Sequence, residues 1–195
     1  MLSTWMDELV AYQRHMTFGS MKIDFGTPHD LDIPVAALQL EVLGRPAPQG
    51  SKRAFVSKYS GKAMMVEQAG ESLKSWRSSV SDAAREAWND NPVFLGPVGL
   101  GTMYFFRRPK VHYGSKNREP YLKPQFDTRH ITTGGIGDQD KLDRAIGDAL
   151  TQSQIIGDDR QISRRLPGGK FWVDQTEREG AIVILAFYPE PGAGQ

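Results

Sequence analysis

The sequence predicts an α/β domain of the α+β type, a small mixed sheet of about four strands with two main helices packed on it. Three observations carry this. "AALQLEVLG" (36–44) and "AIVILAFY" (181–188) read as strands; the stretches 65–89 and 140–151 each carry an apolar stripe at helical spacing; and the order strand, long helix, strand, basic loop, helix, strand, strand places both helices on one sheet.

The chain of 195 residues suits one domain with a real core. At 39% hydrophobic and 24% charged it falls in the globular range. A net charge of only +1 means that any nucleic-acid affinity must come from local clustering of cations. With no cysteine, a disulfide framework and thiolate-bound zinc are excluded, which fits a cytosolic setting. "MLSTWMDELV" has no basic segment ahead of an apolar one, so no secretory signal is expected. The longest apolar run, 181–188, falls far short of the roughly 20 residues of a membrane helix, so no membrane association is expected.

Residues 1–36 read as an accessory segment, with "TWMDELVAYQRHM" forming a short helix capped by Thr4 and the rest a loop. The main domain is expected over 37–190, with a loose tail at 191–195. In its first strand Leu38, Leu40 and Val42 alternate with Gln39 and Glu41. "RPAPQGSKRAF" (45–55) is a loop, since two prolines and a glycine forbid helix; it carries Arg45, Lys52 and Arg53 without an acid. From about Met65 to Asn89, the residues Leu73, Trp76, Val80, Ala83, Ala84 and Ala87 recur at steps of three and four. "VGLGTMYFF" (98–106) reads as the second strand. Residues 107–136 form a long basic loop, and loops of that length inside a compact domain are usually functional. In the second helix Leu142, Ala145, Ile146, Ala149 and Leu150 face the core; "RQISRRL" is a strand that continues toward "KFWV" across Gly168 and Gly169; and 181–188 is the last strand.

Chemistry concentrates at "GDQDKLDRAIGDAL" (137–150) and "GDD" (157–159). Asp138 and Asp140 fall at the cap or first turn of the second helix, where helix N–H groups favour negative charge. A helix of that length spans roughly 18 Å, and the following seven or eight residues reach about 25 Å when extended. Asp159 can therefore return to Asp138 and Asp140 if the chain reverses and runs straight back. Carboxylates so gathered need a compensating cation, and hard oxygen donors select Mg²⁺ or Mn²⁺, which can activate water against a phosphodiester. A solvent-facing, structural reading of the acids stands beside this one, because D-x-D and DD are common.

Arg144 lies four residues after Asp140 and four before Asp148 on one helix face, either as a surface ion pair or as a cation beside a phosphate. Lys141 projects elsewhere, toward a nucleic-acid backbone. Lys52 and Arg53, with the basic run through Arg107, Arg108 and Lys110, are expected to grip further phosphates. Tyr104, Phe105, Tyr113 and Tyr121 are candidates for base stacking. His112 and His130 are either ligands or bases, or plain loop histidines; neither shows metal-ligand spacing.

"DQDKLDRAIGDALTQSQIIGDDRQI" (138–162) resembles the signature of the RusA family of Holliday junction resolvases of phages and prophages: acid-x-acid, Leu, a basic residue, "DAL", a linker, then DD with Gln and an aliphatic residue. "GRPAPQGSKRAF" resembles that family's proline-rich basic loop, and the two matches bracket most of 37–190. The resemblance implies a homodimeric, Mg²⁺-dependent endodeoxyribonuclease, with Mn²⁺ as substitute, in a bacterial or phage-infected cytoplasm. It would cut four-way DNA junctions by paired symmetric nicks, leaving 5′-phosphates. By motif position Asp138, Asp140 and Asp159 match the family's metal-binding acids, Asp158 is their neighbour, and Arg144 matches a catalytic basic position. Two departures stand out: Lys141 where Asn is common, and Arg144 where Lys is common. Arginine keeps the charge without serving as a proton donor near neutral pH; the family bears both residues, so activity is expected. The alternative reading is a protein that binds branched DNA without cutting it.

Overall fold

A computed structural model describes residues 34–50, 52–56, 63–67, 70–116, 119–132 and 135–189, all within one compact unit, Pro34–Gln195. The expected helix near Trp5, the remainder of the lead up to residue 33 and the tail at 191–195 lie outside the described residues.

The first strand, β1 (Ala36–Leu43), buries Leu40 and Val42 and turns Glu41 and Leu43 to solvent, the alternation its sequence predicts. It is an edge strand, antiparallel to β9 (Gly180–Phe187), which is covered on both faces and accordingly reads as an unbroken apolar run. β9 in turn pairs antiparallel with β4 (Val98–Arg107). On its far side β4 meets two short parallel strands in succession, β7 (Ile162–Arg165) against its first residues and β8 (Gly169–Val173) against its last. The sheet therefore has five strands, in the order β1-β9-β4-β7 with β8 also on β4. A parallel neighbour requires a crossover, and the segment between β4 and β7 contains α2 (Gln139–Gln152). The other helix, α1 (Gly70–Trp88), packs on α2 and β1 through Leu73, Trp76, Val80 and Ala84. Both helices and the sheet enclose one core, in which Leu142, Ala145, Ile146, Ala149 and Leu150 of α2 are essentially inaccessible to water.

Two hairpins lie off this sheet: β2 (Lys52–Val56) with β3 (Ala63–Glu67), and β5 (Tyr113–Lys116) with β6 (Glu119–Leu122). The sequence reading differs at both. It expects loop through Phe55 and helix from Met65, whereas Lys52–Val56 and Ala63–Glu67 pair as strands and the helix starts at Gly70. Five residues, as KRAFV and AMMVE, are too few to show strand alternation, and the pairing partner, not the local pattern, makes the strand. The basic stretch after Arg107 is likewise an organised hairpin flanked by 3₁₀ turns at Lys110–His112 and Pro124–Phe126. No helix among the described residues is long and apolar enough to cross a membrane.

The break between β7 and β8 falls where Gly168 passes over Thr102, and a Cβ at Gly168 would strike the Thr102 carbonyl oxygen and amide nitrogen. Backbone cannot yield as a side chain does, so Gly168→Ala is expected to destabilise the fold by about 1–3 kcal/mol, read as a lowered urea midpoint at unchanged slope.

Candidate active site

The N-terminal turn of α2 is delivered by Gly137, whose φ of +93° is open to glycine and strained for other residues. Pro48, from the loop after β1, lies on it: a Cβ at Gly137 would come within 2.7 Å of the Pro48 ring. Lys170 of β8 donates from Nζ to the Gly137 carbonyl at 2.9 Å, and the Gln49 amide donates to the Lys141 carbonyl at 2.9 Å. The proline-rich loop is thus seated against the acid-bearing turn, and two distant segments of the chain fix where that turn starts.

Asp138 occupies the N-cap in extended conformation, yet its side chain makes no capping hydrogen bond. Its carboxylate lies 3.4 Å from Lys141 Nζ, and that of Asp140 lies 3.4 Å from Arg144 Nη2. Both side chains are largely in solvent, 74% and 55% exposed. Pairs this exposed add little stability. Asp148, on the same face by sequence, pairs instead with Arg77 of α1.

A third acid of α2 behaves differently. Asp143 is buried, its side chain 7% exposed. Its Oδ1 accepts from the Thr102 hydroxyl at 2.6 Å and the Tyr104 hydroxyl at 2.8 Å, and its Oδ2 from the Arg165 guanidinium. Burial, with the Asp143 charge added, pushes the Tyr104 phenol far above its ordinary range, so it remains a proton donor. Tyr104 is therefore core, not the base-stacking platform considered from sequence. The Asp143 network ties α2 to β4 and β7 at once. Sequence reading missed it because an acid at that spacing looks like any helix-surface residue.

After α2 the chain turns at Gln154 (φ 62°), buries Ile155 and Ile156, and enters a 3₁₀ turn at Asp159–Gln161. Asp158 caps that turn. Its side chain accepts from the Arg160 amide and guanidinium, while Gln161 Oε1 accepts from the amides of Gly157 and Asp158. The Arg160 hydrogen bonds hold the Asp158 carboxyl well below the usual range. Asp159 Cβ lies 3.4 Å from where a Cβ on Gly147 would stand. Position 147 shares a helix face with Asp140 but lies about 10 Å further along the axis. Between the helix and this turn the chain spends residues 153–157 on a reversal that buries two isoleucines. Among the described residues no three acids or histidines converge to hold a metal ion. Asp138 and Asp140, with oxygen donors in solvent and no backbone claim on Asp138, fit a hard divalent cation.

The cations divide. Arg107 is exposed, with Nε on the Glu177 carbonyl. Lys110 is exposed. Arg108 is buried, its guanidinium donating to the carbonyls of Phe126 and Thr128 at 2.7 Å, so it braces the basic loop. Lys52 and Arg53 belong to β2, but their side chains lie outside the described residues. Phe105 stacks on Phe171, Tyr113 donates to Asp174, and Tyr121 is exposed. His112 stacks on Phe126 at 4.0 Å, with its edge toward Trp172, and its Nδ1 is buried without a partner. His130 is exposed and lies against Phe171.

The fold is thus a sheet backed by two helices, with two exposed acids at a clamped helix start, each beside a cation. The family model described as endodeoxyribonuclease RusA matches residues 46–178, and the chain belongs to that family of Holliday junction endodeoxyribonucleases. Enzymes of the family depend on a divalent metal and act on branched DNA junctions. No curated protein matches the chain.

Asp143→Ala leaves two hydroxyls and a guanidinium without their acceptor, and is expected to cost about 3–5 kcal/mol in chemical denaturation, far more than Asp140→Ala. Burial, then the charges of Arg108 and Lys123, lower the His112 pKa. The unfolded chain thus binds this proton more readily, and stability due to neutral His112 is present at neutral pH and lost as pH falls below about 6.5. Melting temperature is expected to fall between pH 7 and pH 5, less steeply in His112→Gln.

Proposed function

We propose that this protein is a Mg²⁺-dependent resolvase that nicks four-way DNA junctions symmetrically as a homodimer, leaving 5′-phosphates, in recombination, repair or phage DNA processing. The observation that carries the reading is the Asp138 carboxylate, placed at a helix start without capping the helix backbone, with Asp140 two residues on. Asp138 and Asp140 would hold the cation; Asp159, in the 3₁₀ turn that packs over Gly147, is the third acid of this reading. The bound ion would supply an activated water and charge neutralisation at the phosphodiester.

The chain's own residues do the rest. Gly137, clamped by Pro48 and Lys170, fixes the direction in which Asp138 leaves the backbone. Arg144 and Lys141 offset the acids in the resting protein and, once a cation takes that role, are released toward phosphate oxygens. Arg144 stabilises charge and does not donate a proton. Arg107, Lys110, Lys52 and Arg53 would contact the backbone, Arg108 braces the loop through the Phe126 and Thr128 carbonyls, and Asp158 holds the turn that presents Asp159. A C2 dimer matches the near two-fold symmetry of the junction, so two sites address opposed strands.

The test is a labelled four-way junction incubated with Mg²⁺, with nicks mapped on all four strands. Wild type is expected to give paired nicks at symmetric positions, and Asp138→Asn to lose about 100-fold or more in rate with junction affinity kept within a few-fold. Asp159→Asn is expected to raise the Mg²⁺ concentration needed for half-maximal cleavage. Tight junction binding with no nicks in Mg²⁺ or Mn²⁺ would make the protein a branched-DNA binder instead.

A further inference from the structure

Beside the acid turn lies a cleft of about 410 Å³, walled by Ile136 two residues before Asp138 and lined by Arg45, Arg107, Arg108, Lys110, His112 and Trp172 among others; no aspartate or glutamate lines it. The cations come from three segments: the loop after β1, the end of β4, and the first 3₁₀ turn. Like charges converging from separate segments repel one another, and the arrangement persists only if partners outside the cleft or a ligand within it compensates.

The compensation inside the protein is incomplete. Arg108 is fully engaged with two carbonyls, with Asp174 at 3.8 Å, and forms the wall. Arg45 is tethered by a single bond, Nη1 to Glu179 at 3.0 Å, and remains 65% exposed. Arg107 uses Nε on a carbonyl, which leaves its two Nη groups available. Lys110 has no partner among the described residues. His112, held flat on Phe126, adds a neutral imidazole, so the cleft gains a polar group without a further charge at neutral pH.

We infer that this cleft is a discrete backbone-phosphate site, in which Arg45, Arg107 and Lys110 hold the DNA phosphate adjoining the one presented to Asp138 and Asp140. The inference rests on the proposed nuclease reading for its ligand. It differs from a diffuse basic surface in three respects: Arg45, far away in sequence, contributes as much as the basic loop does; Arg108 contributes by bracing; and the site has a fixed place relative to the acids, because Ile136 is shared between the cleft wall and the segment leading to Gly137.

The experiment measures binding of the full-length protein to a four-way junction across a salt series without divalent metal, comparing wild type, the double variant Arg45→Gln/Lys110→Gln, and Lys74→Gln as a surface charge on α1 outside the cleft. The double variant is expected to lose about 10-fold in affinity and to lower the slope of log K against log salt by about 2, while Lys74→Gln changes neither. Pyrophosphate, as a small probe, is expected to raise the melting temperature of wild type and not of the double variant. Equal losses for Lys74→Gln and the double variant, or an unchanged salt slope in the double variant, would overturn the inference. If wild type fails to nick junctions while the double variant still loses affinity selectively, the nuclease reading fails and the cleft stands; paired nicking with an unaffected double variant does the reverse.

Discussion

A carboxylate buried between a helix and a sheet must be matched at every lone pair it exposes, and Asp143 meets that demand with Thr102, Tyr104 and Arg165. The match couples three elements. β4 supplies the hydroxyls, β7 the guanidinium, and α2 the charge. Hydrophobic burial of Leu142, Ile146 and Leu150 holds α2 against the sheet but tolerates small slides along its axis. The Asp143 hydrogen bonds are directional and so fix the helix lengthwise. The position of Asp138, Asp140 and Arg144 relative to the sheet follows from that anchor together with the Lys170 and Pro48 clamp on Gly137.

Long, periodic elements were legible in the sequence. The two helices, the alternation of β1 and the unbroken apolar run of β9 all have patterns set by how many faces they bury. The two hairpins were not legible, because each is made by pairing between strands of four or five residues, too short to show a period. The N-terminal acids of α2 announced themselves through the helix-start position and the spacing to the DD pair. Three contributors to the site gave no such signal: Asp143 sits among surface-like charges, Lys170 reaches Gly137 from β8, and Pro48 arrives from the loop after β1. Chain reach alone allowed Asp159 to return to the helix start. Its seat over Gly147 comes together with the burial of Ile155 and Ile156, a packing demand that a length estimate does not contain.

The electrostatics of the site follow a consistent logic. Each exposed acid at the start of α2 has its own cation one helical turn away, so the resting protein carries little net field there. Lys141 and Arg144 both take the same job of neutralising a neighbour. Asp158, by contrast, is committed to shaping its own turn, with Arg160 and Gln161 completing the cap. Adjacent aspartates thus have separate tasks, one architectural and one facing Gly147.

The far side of β4 is shared by two half-strands separated at Gly168. β7 leads directly from the turn that bears Asp159, whereas β8 bears Lys170, which grips the residue before Asp138. Because no continuous strand joins them, the two sets of site residues are suspended from the sheet by independent ladders. A strand unbroken through this region would lock them into one register; the interruption gives each its own ladder on β4, and the Arg165–Asp143 pair is what ties the Asp159 side back to the helix.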